Sequence, residues 1–217
     1  MKQMTWQKWA KIWTAFLIYG ILVFAFTELA EQVMDHSTQS LDVAILRWIN
    51  TLSDPGLDGF FVFITDLSGP VVVPILALLL AAWFIWKNEA YNAIYLFLIL
   101  GGTFLVNTAL KLYYQRVRPN LWSLLVEESS YSFPSGHAMI SMALALSLIV
   151  LLFYSRLRWP AILIGTGYVL LIGFSRLYLG VHYPSDIVGG WLASIVWSAV
   201  VTGIMMRNNK FRDDTMS

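Results

Sequence analysis

Apolar residues run along this chain in six long stretches, joined by polar connections of which only one is long. The stretches extend roughly from Ile12 to Ala30, Pro70 to Trp86, Tyr91 to Leu110, Gly136 to Tyr154, Pro160 to Phe174 and Ile187 to Met206. A helix needs about 20 mostly apolar residues to cross about 30 Å of hydrocarbon, so each stretch predicts a transmembrane helix. The second and fifth are short and would extend into their apolar flanks. The long connection, about 40 residues between the first and second stretches, carries a different pattern. Leu41, Ile45, Trp48, Ile49 and Leu52 recur at helical spacing, and Asp42, Arg47, Asn50 and Ser53 fill the other face. That pattern predicts an amphipathic helix, lying in the membrane interface or packed as a cap on the bundle. The expected fold is all-α: one polytopic membrane domain over residues 1–217, with six transmembrane helices and an interfacial amphipathic helix between the first two.

Composition supports the membrane reading. Apolar residues make up 58% of the chain and charged residues 12%, about half the charged fraction of ordinary soluble proteins. A net charge of +1 gives no reason to expect a nucleic-acid partner. Cysteine is absent, which excludes disulfides, cysteine zinc sites and thiol catalysis. The first residues are basic, but the apolar stretch behind them is too long for a signal-peptide core and shows no small-residue cleavage site, so a retained anchor is expected.

Lysine and arginine favour cytoplasmic loops. With the N-terminus inside, Lys2, Lys8, Lys11, Lys87, Arg156, Arg158, Arg207, Lys210 and Arg212 lie inside, nine of the fourteen basic residues. Both termini are then cytoplasmic in a multi-pass protein of the cell membrane. The outer set is Arg47, Lys111, Arg116, Arg118 and Arg176, and all but Arg47 flank the ends of the third and fifth stretches. This exception to the inside rule asks for a chemical reason.

Three clusters supply one. Lys111 is followed after six residues by Arg118 and Pro119; Pro134, Ser135, Gly136 and His137 form the second cluster; Ser175 and Arg176 are followed after five residues by His182, and Asp186 lies four further on. In the expected topology all three clusters meet at the outer ends of the last four stretches. Arginine forks onto phosphate oxygens and lysine adds a point charge, so Lys111, Arg118 and Arg176 form an anion cradle. Ser135 stands at the N-cap of the fourth stretch. The amides of Ser135, Gly136 and His137 would be unpaired donors there, and Gly136 has no side chain to obstruct an anion. A carboxylate on one imidazole nitrogen fixes the tautomer and frees the other nitrogen. Asp186 can do this for His182, which makes His182 the nucleophile candidate and implies a phosphohistidine intermediate. His137 suits a general acid that protonates the leaving oxygen and then activates water.

These clusters resemble the signature of the type 2 phosphatidic acid phosphatase superfamily, K-x6-R-P, P-S-G-H and S-R-x5-H-x3-D, with every signature position filled from Lys111 to Asp186. In that family the second histidine is the nucleophile and the first the acid, which matches His182 and His137. The resemblance implies a membrane lipid phosphatase like the small bacterial members, which hydrolyse phosphatidylglycerophosphate or undecaprenyl pyrophosphate, with a lipid phosphate in the bilayer as partner and the active site on the outer face. No cofactor and no bound metal are required; magnesium would enter only on the lipid. A lipid phosphotransferase would use the same phosphohistidine. A transporter or scaffold would need the basic residues but neither two histidines nor a partnered aspartate. The motifs carry no information on oligomeric state.

The remaining polar residues have plainer expected roles. Arg116 fills no signature position and reads as an interfacial anchor. Asn107, one turn before Lys111, reads as a hydrogen bond to it or as a helix–helix contact. Gly189 with Ala193 and Gly190 with Ser194 read as helix packing, His36 as a solvated loop residue and the ten tryptophans as an aromatic belt.

Overall fold

All six apolar stretches form helices, because backbone groups in hydrocarbon must be satisfied within their own segment. The computed structural model describes residues 6–126 and 128–216; Lys2 lies outside them. The helices are α1 (Trp6–Met34), α2 (Gln39–Asn50), α3 (Pro55–Asp66), α4 (Val72–Trp86), α5 (Ala90–Tyr114), α6 (Gly136–Leu151), α7 (Arg158–Tyr178), α8 (Pro184–Met205) and α9 (Asn209–Met216). The described residues contain no strand. Helices α1, α5, α7 and α8 are each long and apolar enough to cross a membrane. Helices α4 and α6 have 15 and 16 residues, which rise only about 23 Å at roughly 1.5 Å per residue. The short fifth stretch does extend into its flanks. The fourth instead stops at Leu151, ahead of a turn in which the Ser155 hydroxyl accepts from Leu157 N at 3.1 Å.

The long outer connection folds as two helices. The sequence reading anticipated only α2. Helix α3 starts at a capped site: Asp54 accepts from Gly56 N at 2.7 Å, with Pro55 in the first turn. Helix α2 is also rotated relative to the expected stripe. It buries Asp42, Leu46 and Ile49, while Leu41 and Trp48 stay 64% and 63% exposed. The rotation has a physical cause, since Asp42 is drawn inward by an arginine described below.

Helix α6 sits centrally, packed on α5, α7 and α8. The main core joins α4, α5, α6 and α8 through Val73, Leu96, Ile99, Ala143, Leu144 and Val201. A second cluster fastens α2 and α3 to the end of α7, where Phe61 stacks on Tyr178 with centroids 4.0 Å apart. Helix α1 lies at the edge against α8 and leaves Trp13, Phe16, Leu17 and Phe24 exposed, as a lipid-facing helix does. At the other end, α9 inserts Phe211 against Tyr95. Because α5, α6, α7 and α8 alternate in direction, the end of α5, the start of α6, the end of α7 and the start of α8 come together. That end holds the candidate chemistry.

Candidate active site

The loop before α6 is fastened from two sides. Asn107 Nδ2 donates to Pro134 O at 3.1 Å, and Ser135 N donates to Asp186 O at 3.0 Å. Asn107 thus acts as a contact between α5 and this loop and does not bond Lys111. The Ser135 amide, expected as a free anion donor, is already used, which leaves the amides of Gly136 and His137 at the start of α6. Gly190 is needed at this junction, and Gly136 is closely packed there. A Cβ at Gly136 would lie 3.0 Å from Asn107 Oδ1, and one at Gly190 would lie 2.8 Å from Ser135 O. Ser135 itself is fully buried and caps α6, with its Oγ 3.5 Å from Ala138 N.

His182 lies between α7 and α8 and is 1% exposed. Pro184 begins α8, and Asp186 one turn in accepts from Tyr183 N at 2.8 Å. His182 Nδ1 is 3.3 Å from Asp186 Oδ2, and Nε2 is 3.1 Å from Arg118 Nη1. Arginine only donates, so Nε2 is the acceptor and the ring proton belongs on Nδ1, facing Asp186. Burial, together with Arg118, Arg176 and Lys111, pushes the His182 imidazole well below the usual histidine range. The result is a neutral imidazole with its lone pair among cations.

Those cations are closely held. Arg118 donates from Nε to Ser130 O at 2.7 Å and from Nη1 to Val181 O at 2.8 Å. Lys111 Nζ donates to Ser130 Oγ at 2.8 Å. Arg176 is 1% exposed and donates from Nη1 to Thr65 Oγ1 at 2.9 Å. Its Nη2 forms an ion pair with Glu128, whose other oxygen is 3.3 Å from Arg118 Nη2. Burial alone would raise the Glu128 carboxyl, but Arg176 and Arg118 outweigh it and hold it down at about 2. Glu128 is therefore an anion seated between two of the three expected phosphate ligands.

A cavity of about 640 Å³ opens from this cluster. Lys111, Arg118, Glu128, Ser130, His137 and His182 line its polar end; Val73, Ala77, Ala81, Ala93, Leu96 and Phe97 of α4 and α5 line the rest. Along α5, the 18 steps from Ala93 to Lys111 rise roughly 27 Å. Among the described residues no group of three or more histidine, aspartate or glutamate side chains is arranged to hold a metal ion.

Sequence reasoning missed several members. Arg116 is not an interfacial anchor. It is buried, 2.6 Å from Asp186 and 2.8 Å from Asp42, because two carboxylates draw it in where a snorkelling arginine would keep its head in water. Ser132 Oγ donates to Asp186 Oδ2, and no sequence pattern marks it. Glu128 had one usable signal: it is a carboxylate in the loop joining the first two motifs.

The PAP2 superfamily model matches residues 92–210. Phosphatidylglycerophosphatase B of Bacillus subtilis is 31% identical over 197 residues, covering 88% of this chain and 96% of that protein. Undecaprenyl-diphosphatase BcrC of Bacillus subtilis is 31% identical over 145 residues, covering 64% of this chain and 70% of that protein. The crystal structure of the transmembrane PAP2 type phosphatidylglycerolphosphate phosphatase from Bacillus subtilis superposes with a TM-score of 0.82 at 29% identity, over 89% of this chain and 98% of that one.

Proposed function

The chain belongs to the PAP2 superfamily, and from that premise we propose that it hydrolyses phosphatidylglycerophosphate to phosphatidylglycerol through a phosphohistidine on His182. It is a multi-pass membrane lipid phosphatase. The observation that carries the mechanism is the setting of His182, with Nδ1 towards Asp186 and Nε2 against Arg118, at the polar end of an apolar cavity.

The phosphate enters between Lys111, Arg118 and Arg176, over the Gly136 and His137 amides, and displaces Glu128. His182 Nε2 attacks phosphorus. The bond to the leaving oxygen breaks as His137 gives that oxygen a proton, leaving phosphate on Nε2. His137 then takes a proton from water, the water oxygen attacks phosphorus, and the P–N bond breaks to release phosphate and restore His182. Preorganised cations and amides at the developing charge supply the stabilisation, and no bound metal or cofactor is needed in this scheme. The lipid tail lies in the groove between α4 and α5, whose apolar length supports a long-chain substrate.

In this reading α4 and α6 complete six crossings, α2 rests at the outer interface with Leu41 and Trp48 towards the lipid, both termini are cytoplasmic, and the site opens outward. Undecaprenyl pyrophosphate is the second substrate reading, supported by the long apolar groove and by the similarity to undecaprenyl-diphosphatase BcrC. Transfer of the phosphoryl group to an alcohol would use the same intermediate. The test is phosphate release by the purified enzyme from micelles of phosphatidylglycerophosphate, undecaprenyl pyrophosphate and phosphatidic acid, with and without glycerol. The first should give the highest kcat/KM. A tenfold preference for undecaprenyl pyrophosphate would reassign the substrate, and phosphorylated glycerol in place of free phosphate would reassign the reaction.

A further inference from the structure

Behind His182 lies a buried cluster in which Asp186 alone belongs to a motif. Arg116 Nη1 donates to Asp186 Oδ1 at 2.6 Å and to Ser185 Oγ at 2.7 Å, and Nη2 donates to Asp42 Oδ2 at 2.8 Å. Asp42 belongs to α2 and accepts from Ser185 N at 3.0 Å and from the Ser185 hydroxyl. The guanidinium also lies 4.2 Å over the Tyr183 ring, and the Tyr183 hydroxyl is 3.3 Å from Gln39 Nε2 of α2. Helix α2 therefore reaches the start of α8 directly, from Asp42 to Ser185 and from Gln39 to Tyr183, and Arg116 adds a bridge from Asp42 to Asp186.

The two oxygens of Asp186 have separate duties. Oδ2 faces His182 Nδ1, Ser132 Oγ and Tyr183 N, whereas Oδ1 has Arg116 as its only side-chain donor among the described residues. A carboxylate held on both oxygens cannot turn about its Cβ–Cγ bond. Without Arg116 one buried oxygen loses its donor, a costly state, and the group rotates or takes up a proton. Either response spoils the alignment of the imidazole. Asp42 holds the second nitrogen, Nη2, and so fixes the plane in which Nη1 is presented to Asp186.

We propose that Arg116, clamped by Asp42 of α2, is a positioning residue that fixes the Asp186 carboxylate and through it the tautomer and aim of His182, so that catalysis requires α2 docked on α8. The proposal rests on the reading of His182 and Asp186 as the catalytic pair. The competing explanation is a buried ion cluster that only balances charge. In that case its loss would act on folding and would be indifferent to whether residue 186 is a carboxylate.

The experiment is a set of double-mutant cycles in the full-length protein, using an aryl phosphate for sensitivity. Arg116→Gln and Asp42→Asn are made alone and each together with Asp186→Asn, and kcat, KM and the vanadate inhibition constant are measured. Groups that orient an active-site ligand through one intermediate are worth roughly 10–100-fold. Arg116→Gln should lower kcat about 100-fold and Asp42→Asn about tenfold, with vanadate inhibition within about threefold of wild type. On the Asp186→Asn background each should cost less than about threefold more, because the link is already broken. Full additivity on that background, or kcat within threefold of wild type for both single variants, would overturn the proposal. Should Arg116→Gln fail to fold, judged by gel filtration, the Asp42→Asn cycle decides alone. Near-wild-type activity of Asp186→Asn itself would instead overturn the catalytic-pair reading.

Discussion

Glu128→Gln should make the enzyme bind phosphate-like anions more tightly. The substitution keeps the size of the side chain and removes its charge. In the native protein the Glu128 carboxyl is held at about 2, against an ordinary value of 4.5, because Arg176 and Arg118 outweigh the effect of burial. That interval corresponds to about 3 kcal/mol of net attraction at roughly 1.36 kcal/mol per unit of pKa. An oxyanion that claims both guanidiniums must first remove this carboxylate. The Glu128 side chain keeps 22% of its surface exposed, so on displacement it regains water and recovers part of that loss. With solvent screening of this partly exposed pair counted as well, what remains is on the order of tenfold in affinity. Protonation offers no alternative release. The folded-state value is depressed, so the ion pairs persist at all ordinary pH and are lost only as pH falls towards 2. The assay is competitive inhibition of aryl phosphate hydrolysis by vanadate at fixed ionic strength. The inhibition constant should fall about tenfold in Glu128→Gln. An unchanged or higher constant would refute the argument that this carboxylate occupies the phosphate position.

Four further outcomes are expected. His182→Ala should abolish turnover, at a cost of roughly 10⁶-fold as for other lost nucleophiles; retention of more than about a hundredth of the activity would remove it from that role. His137→Ala should harm lipid phosphate hydrolysis more than aryl phosphate hydrolysis, because a good leaving group needs no proton, and equal losses on both would count against general-acid catalysis. EDTA should leave activity substantially intact, since the cradle supplies its charge from side chains; complete inhibition reversed by added metal would contradict this. The chain has no cysteine, so single replacements Ser40→Cys, Ser129→Cys and Ser155→Cys, all at exposed positions, can report topology in intact cells. An impermeant thiol reagent should label the first two and spare the third, and the reverse pattern would invert the protein.

What was legible in the sequence had a short-range signal. Each membrane helix announces itself within its own apolar run, and the motif residues sit at fixed offsets from helix ends. Lys111, His137, Arg176 and Asp186 were therefore assigned to the right ends of the right helices. Helix α3 was missed although Asp54 and Pro55 mark its start, because its apolar run was too short to compete with the six long apolar stretches. The rotation of α2 and the burial of Arg116 were not legible for a different reason. They depend on each other across 74 positions, and neither Asp42 nor Arg116 shows locally that the other is near. The Ser135 amide failed similarly, since its acceptor is the Asp186 carbonyl from another helix.

The same long-range pairing explains why so many basic residues can collect at what we take to be the outer end. Four cations meet there, Lys111, Arg116, Arg118 and Arg176, and three carboxylates answer them, Asp42, Glu128 and Asp186. Counting only these seven groups, and neither the histidines nor Asp66, which acts on Arg176 from a distance, the free site carries one net positive charge, four less three. Unpaired charge at the edge of hydrocarbon is costly, so the free enzyme needs most of that compensation to fold. The carboxylates are not equivalent. Asp42 and Asp186 are buried and tied to Arg116, on the side of the cluster that orients His182, whereas Glu128 is the most exposed of the three and pairs with the cations that would receive phosphate. When a phosphate dianion replaces Glu128, the sum becomes four less four. The exchange of a carboxylate for a dianion then neutralises the site, and product release restores the original balance as Glu128 returns. A binding site organised this way favours dianions over monoanions of similar size, because only a dianion both replaces Glu128 and cancels the remaining charge.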